Sequence, residues 1–316
     1  MTSKTLTRRT LLSTALFAAL GATAAFAAAT DSGACPSPRP ATMRAIQLVD
    51  YGGPDQLKLA TVPVVAPKPG EVLVEVRAAS VNPIDWKLRE GQGRSWWPLE
   101  LPAILGRDVA GVVVEVGSGV DGWRCGDEVV AFLGGAPHGG YAEYVPVAVD
   151  SLARKPRSLT FEQAGAYPLV AMTAWQATVD AGRVAKGERV LVQGGAGGVG
   201  SMAVQFAKAR GAYVIATASA RNHEYLKSIG VDQTIDYRTT RFEDVAKDVD
   251  LVVDTVGGET LERSATVVKR SGASLRSRVA CRRTRVTHAG SSARVCTRCP
   301  PPHRSRRSAG LSIRAR

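Results

Sequence analysis

Cysteine is scarce in this chain, and what there is lies badly for metal chemistry. Five occur in 316 residues, and between the N-terminal region and the C-terminal tail only Cys125 remains. A four-cysteine structural zinc lobe is thereby excluded from that stretch, and a catalytic zinc, which needs three protein ligands, is short of thiolates. Cys281, Cys296, Cys299 and His303 share the tail, but their spacing matches no compact zinc finger, and ordinary thiols are the simpler reading. Acidic residues are missing from 276–316, as are lysine and every aromatic residue, while twelve arginines there carry nearly all of the formal net charge of +13. With no aromatic ring to stack on bases, the tail is a poor nucleic-acid platform. The nearly neutral remainder also argues against a chain built around polyanions. Apolar residues in the tail are too sparse for strands or an amphipathic helix, so disorder is expected. Its usage is that of a G+C-rich gene read out of frame.

Arg8-Arg9 precede an apolar, alanine-rich stretch over 11–29 that ends in small residues around Ala25-Phe26-Ala27. That is the layout of a cleavable export signal, and the paired arginines point to the twin-arginine route. A membrane anchor of similar length and a cytoplasmic chain with an inefficient leader are the alternatives. The proline-containing stretch 30–42 reads as a linker.

The most informative motif is Gly195-Ala196-Gly197-Gly198-Val199-Gly200. A short apolar run, 190–192, comes before it, and apolar residues at helical spacing follow (Val199, Met202, Ala203, Phe206, Ala207). Glycines permit a tight turn and close backbone approach, and the following helix offers free N–H groups to a dinucleotide pyrophosphate. The strand before and the helix after supply the context that the bare motif lacks.

A further absence narrows the dinucleotide. NAD-specific folds carry an Asp or Glu at the end of the next strand, for the ribose 2′-hydroxyl. Here that strand, 213–217, runs into Ala218-Ser219-Ala220-Arg221-Asn222, with no acid. Arg221 can pair with a 2′-phosphate through charge-assisted hydrogen bonds. NADPH is therefore favoured over NADH, with a solvated helix start as the alternative role for Arg221.

An apolar fraction of 45% is ample for two packed cores. From residue 43 to about 168 the chain reads as short strands and turns: 43–49, an alternating 71–76, a buried apolar run at 109–116, and an alternating 140–145. After Pro168 strand and helix alternate, with strands at 190–192, 213–217, 233–235 and 251–254 and helices reaching Arg210 and covering 223–229.

Together these stretches resemble a known family. From Met43 to about Lys269 the chain is similar to the zinc-independent branch of the medium-chain dehydrogenase/reductases, the quinone oxidoreductase-like and enone reductase-like proteins. The resemblance rests on Tyr51-Gly52-Gly53-Pro54 with Leu57, Val81-Asn82-Pro83-Ile84-Asp85-Trp86-Lys87, Leu105-Gly106-Arg107-Asp108-Val109-Ala110-Gly111, Gly126-Asp127-Glu128-Val129, residues 169–175, and the glycine loop. It implies an α/β chain with a GroES-like β-rich catalytic domain at 43–168. A Rossmann-fold NADP-binding domain follows at 169–275, incomplete at its C-terminal end because the family pattern stops after Lys269.

Where zinc-containing relatives carry a ligand cysteine this chain has Asn82, and where they carry a ligand histidine it has Arg107; a metal-free site is expected. The resemblance places Asn82, Asp85 and Thr173 at the catalytic cleft, and Tyr51 and Trp86 in the substrate pocket. Gly195, Gly197, Gly198, Val199 and Gly200 would lie against the pyrophosphate, with Ser219, Arg221 and Tyr237 around the 2′-phosphate. Asn82-Pro83 could equally open a turn, Thr173 could pad a helix, and Asp108 is expected to be held by its neighbours. The implied activity is NADPH-dependent reduction of a quinone or an α,β-unsaturated carbonyl, by a homodimer in the family at large, though the C-terminus puts that dimer in doubt. A non-catalytic nucleotide-binding or polyanion-binding protein is the alternative.

Overall fold

The computed structural model describes residues 39–95, 97–134 and 139–269, together with the backbone of three two-residue strands further on. The chain divides into a unit of residues 1–33, all outside the described residues, and a unit of residues 34–316. The export signal expected at 1–29, most of the linker expected at 30–42, and most of the tail therefore lie outside the described residues.

Alternation of buried and exposed positions builds the β-rich half. β1 (Thr42–Leu48), β2 (Leu57–Pro63) and β4 (Ala103–Ile104) form a small antiparallel sheet in the order β2-β1-β4. β3 (Glu71–Ser80), β5 (Asp108–Val116), β6 (Glu128–Phe132), β7 (Tyr144–Ala148) and β8 (Leu152–Arg154) form a second, antiparallel and ordered β7-β3-β5-β6-β8. Its core is a valine cluster that includes Val72, Val74, Val109, Val113, Val129, Val145 and Val147, β-branched residues that suit a pleated, buried surface. Between β3 and β4 lies one short helix, α1 (Pro83–Arg89), which starts with proline, the residue best suited to a first helical position.

The alternating stretch at 140–145 departs from expectation. Only Tyr144 and Val145 of it are in β7, and Ala142 makes just an isolated bridge to Ala45. The backbone there is occupied otherwise: the N–H groups of Gly140 and Tyr141 donate to the Gly106 and Leu105 carbonyls at 3.0 Å each.

α2 (Phe161–Gly165), capped by Thr160, whose hydroxyl accepts from the Gln163 N–H, packs on β3, β5 and β6. The second half begins with α3 (Pro168–Trp175). A parallel sheet follows, built from β9 (Arg189–Gln193), α4 (Gly198–Ala209), β10 (Tyr213–Ala218), α5 (His223–Ser228), β11 (Gln233–Asp236), α6 (Phe242–Val245), β12 (Leu251–Asp254) and α7 (Glu259–Ser264). The strand order is β11-β10-β9-β12-β15, where β15 is Val295–Cys296, and the pairings are parallel. The chain runs outward from β9 through β10 to β11 and then crosses to the other side of β9. The order thus reverses at β9 and β12, and parallel sheets bind ligands beyond the carboxyl ends of strands at such a switch point. Both faces are covered: Val190, Val192, Ala203, Val204 and Val214 belong to one cluster, and Leu191, Ile215, Ile235 and Val252 to the other.

The tail holds a correction. Strands were not expected in 276–316, yet β13 (Thr287–His288) pairs with β14 (Ser291–Ser292), and β15 (Val295–Cys296) lies parallel to β12 through Val252↔Val295 and Val253↔Cys296. Pairing of this kind needs only backbone N–H and C=O groups, which an edge strand offers to any neighbour; an apolar pattern is not required.

Leu191 sits in the central strand with no exposed surface. Leu191→Ala should lower the free energy of unfolding by roughly 2–5 kcal/mol in urea titrations; a change under about 1 kcal/mol would contradict the central placement.

Candidate functional site

The glycine loop joins β9 to α4 at the switch point. Gly194 has φ +70°, a left-handed conformation that only glycine takes without strain. A Cβ on Gly195 would stand 2.8 Å from the Ala216 Cβ, one on Gly198 3.0 Å from Val170 Cγ1, and one on Gly200 would be driven into the Gly194 carbonyl oxygen. These glycines therefore bring loop, sheet, α3 and α4 closer together than side chains allow. Gly197 precedes α4 in extended conformation, and the N–H groups of Gly198, Val199 and Gly200 have no backbone partner among the described residues. Three donors aimed out of a helix start make an anion cradle.

The motif as read from sequence starts one residue late. Gly194 supplies the turn, and its N–H donates to Thr217 Oγ1 at 3.0 Å. Thr217 in turn donates to Gln193 Oε1 at 2.8 Å, Gln193 Nε2 donates to Ser264 Oγ at 3.1 Å, and Thr255 Oγ1 donates to the Gln193 carbonyl at 2.7 Å. Gln193, Thr217 and Ser264 are buried, so a satisfied polar network holds the loop from beneath. The doubled glycine at 194–195 was the available signal for the turn; nothing in the spacing foretold the network.

At the ends of β10 and β11 lie the other residues expected around a nucleotide. Ser219 is buried, with its hydroxyl accepting from Asn222 Nδ2 at 3.2 Å. Arg221 is exposed, and no ion pair or hydrogen bond engages it among the described residues. Tyr237, 59% exposed, has the Arg238 guanidinium 5.8 Å from its ring centroid. All three follow the carboxyl ends of β10 and β11, on the same edge of the sheet as the glycine loop.

The second cluster forms where the β-rich half meets α3. Asp108 opens β5 with no exposed surface. Its carboxylate accepts from Ser80 Oγ at 2.7 Å, Asn82 Nδ2 at 2.8 Å and the Leu169 N–H at 2.7 Å, so it ties the end of β3, the start of α1 and the start of α3 together. Burial pushes its pKa up to about 6, against the pull of those three donors. Asp85 is buried as well: its oxygens accept the Asn82 N–H at 2.7 Å and the Gly106 N–H at 3.2 Å. Burial raises its pKa, opposed by those bonds and by the charge of Arg107. The Tyr141 phenol interacts with Asp85 without meeting hydrogen-bond geometry, and burial together with that carboxylate pushes its pKa up. Arg107, almost fully buried, has its guanidinium 4.6 Å from the Trp97 ring centroid, and burial lowers its pKa.

The structure thus joins Asn82 and Asp85 and links both to α3, where Thr173 lies half-buried one turn beyond Val170, the residue that meets Gly198. Tyr51 is set apart. It packs with Leu48, Leu88 and Leu105, its hydroxyl accepts from the Leu99 N–H at 3.3 Å, and Arg94 stacks 3.8 Å from its ring centroid. The neighbouring Gly52 N–H bonds to the Arg89 carbonyl at the far end of α1 from Asn82, roughly 10 Å away at 1.5 Å per residue. Trp86 stands 40% exposed on α1. Cys125 is engaged in a disulfide, and no cluster of three His, Cys, Asp or Glu side chains suited to a metal occurs among the described residues.

Comparison with known proteins agrees with this anatomy. Residues 68–157 match the alcohol dehydrogenase GroES-like domain and residues 198–275 the zinc-binding dehydrogenase domain. A solved quinone oxidoreductase from Coxiella burnetii superposes with a TM-score of 0.67 at 39% identity, covering 73% of this chain and 74% of its own. The chain belongs to the medium-chain dehydrogenase/reductase family. Within it the similarity is to quinone oxidoreductase-like and enone reductase-like members. The 2-methylene-furan-3-one reductase of Solanum lycopersicum is 42% identical over 242 residues, 74% of this chain and 61% of that protein. The chloroplast envelope quinone oxidoreductase homolog of Arabidopsis thaliana is 41% identical over 203 residues, 62% of each. The chain spans about three-fifths of the length of these curated family relatives.

Asp108 also sets a pH dependence. Its folded pKa lies above the usual carboxylate value, so its contribution to stability is fully present below about pH 4 and is lost as pH rises through about 6. The unfolding free energy of the native chain, compared with Asp108→Asn, should therefore fall by roughly 3 kcal/mol between pH 4 and pH 7. A difference that stays flat, or a carboxyl resonance titrating below pH 4.5, would disprove it.

Proposed function

We propose that this chain is an NADPH-dependent oxidoreductase that reduces a quinone or an α,β-unsaturated carbonyl without zinc. The observation that carries the reading is the glycine cradle at the switch point: three N–H groups without a partner among the described residues, where a pyrophosphate fits, with Arg221, likewise unpaired among the described residues, on the same edge of the sheet. No acid stands at the end of β10 to favour an unphosphorylated ribose. A relative named NADPH-dependent alkenal/one oxidoreductase, from Arabidopsis thaliana, is 40% identical over 242 residues.

The donor set fits the nucleotide. Gly198, Val199 and Gly200 N–H groups would hold the pyrophosphate, Gly194 lets the backbone approach it, and Ser219, Arg221 and Tyr237 would surround the 2′-phosphate. A bound nicotinamide supplies a hydride, which a conjugated acceptor takes at carbon while its oxygen gathers the charge. Around that step the protein's own work is orientation and exclusion of water. Val81, Trp86, Met172 and Val256 leave large apolar surfaces exposed beside Asn82, Thr173 and the end of β12, which suits a flat, apolar acceptor.

Zinc fits poorly. Arg107, standing where zinc-containing relatives have a ligand, is itself a buried cation and would repel a divalent ion. Asn82 offers at most a neutral amide oxygen where zinc-containing relatives offer a thiolate. We extend the proposal to export through the twin-arginine-type leader, whose residues lie outside the described ones.

NADPH oxidation with a panel of quinones and enones should show turnover that chelators leave intact. Arg221→Ala should raise the KM for NADPH roughly tenfold, the scale of one charge-assisted contact, and leave NADH almost unaffected. Absence of NADPH binding by calorimetry on folded protein, or loss of turnover with chelator, would overturn the reading.

A further inference from the structure

The hydrogen-bond chain around Asp108 has a direction. An ionised carboxylate only accepts, so Ser80, bonded to Asp108 Oδ2 at 2.7 Å, must be its donor and must accept from Asn82 Nδ2 at 2.9 Å. Asn82 Nδ2 also donates to Asp108 Oδ2 at 2.8 Å. Both amide hydrogens are then committed, and a flipped amide would set its oxygen against the carboxylate. The Asn82 Oδ1 oxygen is turned to the Asp85 N–H in the capping box that opens α1, and its second lone pair is left for a further donor. Meanwhile Asp108 Oδ1 takes the Leu169 N–H at 2.7 Å, in the first turn of α3. That helix meets the glycine loop through Val170 and Gly198, and α4 through the edge-on contact of Trp175 with Phe206, centroids 5.4 Å apart.

We infer that Asp108 is a positioning residue: it fixes the Asn82 carboxamide with its oxygen presented as a hydrogen-bond acceptor, and seats α3 against the nucleotide loop in the same act. The group this acceptor takes is an N–H or O–H donor on the bound cofactor or substrate, such as a carboxamide or a hydroxyl. The inference rests on the proposed reductase activity for its ligand, but the orientation of Asn82 does not.

The two single changes and their combination separate orientation from mere packing. In Asp108→Asn the new amide must turn its NH2 toward either Leu169 or Asn82; the first breaks the seat of α3, and the second flips Asn82 so that it offers a donor. NADPH-dependent kcat/KM should fall roughly 10- to 100-fold, the scale of one buried polar group left unmatched. Asn82→Asp combined with Asp108→Asn restores the pattern. The amide now at position 108 accepts from the Leu169 N–H and donates to the carboxylate now at position 82, which keeps an acceptor oxygen free, and at least tenfold of the loss should return. A purely structural role gives no such rescue. Asp108→Asn within twofold of the native kcat/KM, or a double variant no better than the single ones, overturns the inference.

A second readout needs no turnover. In the native chain the two Asn82 side-chain amide protons should exchange slowly with water by NMR, and Ser80→Ala should speed exchange of one of them. Asn82 amide protons that exchange as fast as those of an exposed asparagine overturn the inference even if reductase activity is found. Slow ones uphold the orientation even if the protein proves to reduce neither quinones nor enones.

Discussion

One buried carboxylate holds the two halves of this molecule in register. Asp108 lies at the head of β5, and its two oxygens gather the end of β3, the start of α1 and the first turn of α3. Burying a charge is costly unless hydrogen bonds replace the lost water, and here three donors do so. That the pKa nonetheless rises to about 6 shows desolvation outweighing them. The residue is an acceptor at neutral pH, close enough to its midpoint that the balance is narrow.

A second network does the same for the nucleotide loop. Gln193 is fully buried at the end of the central strand, yet each of its polar side-chain atoms has a partner, Thr217 on β10 and Ser264 on α7. Through Thr217 the link reaches the Gly194 N–H, the hinge of the turn. The loop is thus braced from below while its helix-start N–H groups point outward without partners among the described residues. Preorganised donors of this kind bind an anion without first having to order themselves.

Much of this could be read from the residues. The parallel strands at 190–192, 213–217, 233–235 and 251–254 all lie within elements of the sheet, because continuous apolar runs separated by helical spacing have few other uses. The glycine motif and the missing acid after β10 were equally plain. What could not be read had physical causes. Tyr51 carries a motif but spends its ring on Arg94 and Leu88, a choice made by tertiary packing. Asp85 carries its motif as well, but that backbone N–H groups from two separate segments hold its carboxylate shows only in the fold. Tyr141 and Ser80 gave no signal, since each gains its meaning from a residue more than twenty positions away. The apolar alternation at 140–145 misled because its backbone hydrogen bonds are divided among the 105–106 loop, β1 and β3, so that no single ladder forms before Tyr144.

The outer margin of the parallel sheet has a consequence of its own. β12 offers four residues on that side, and β15 covers two of them, Val252 and Val253. A lateral row of amides and carbonyls covered, among the described residues, by so short a strand is a docking rail for any extended peptide in register, from this chain or a copy of it. Self-association at high concentration would then proceed through strand addition at that rail, leaving the nucleotide cradle, which opens at the strand tips, untouched.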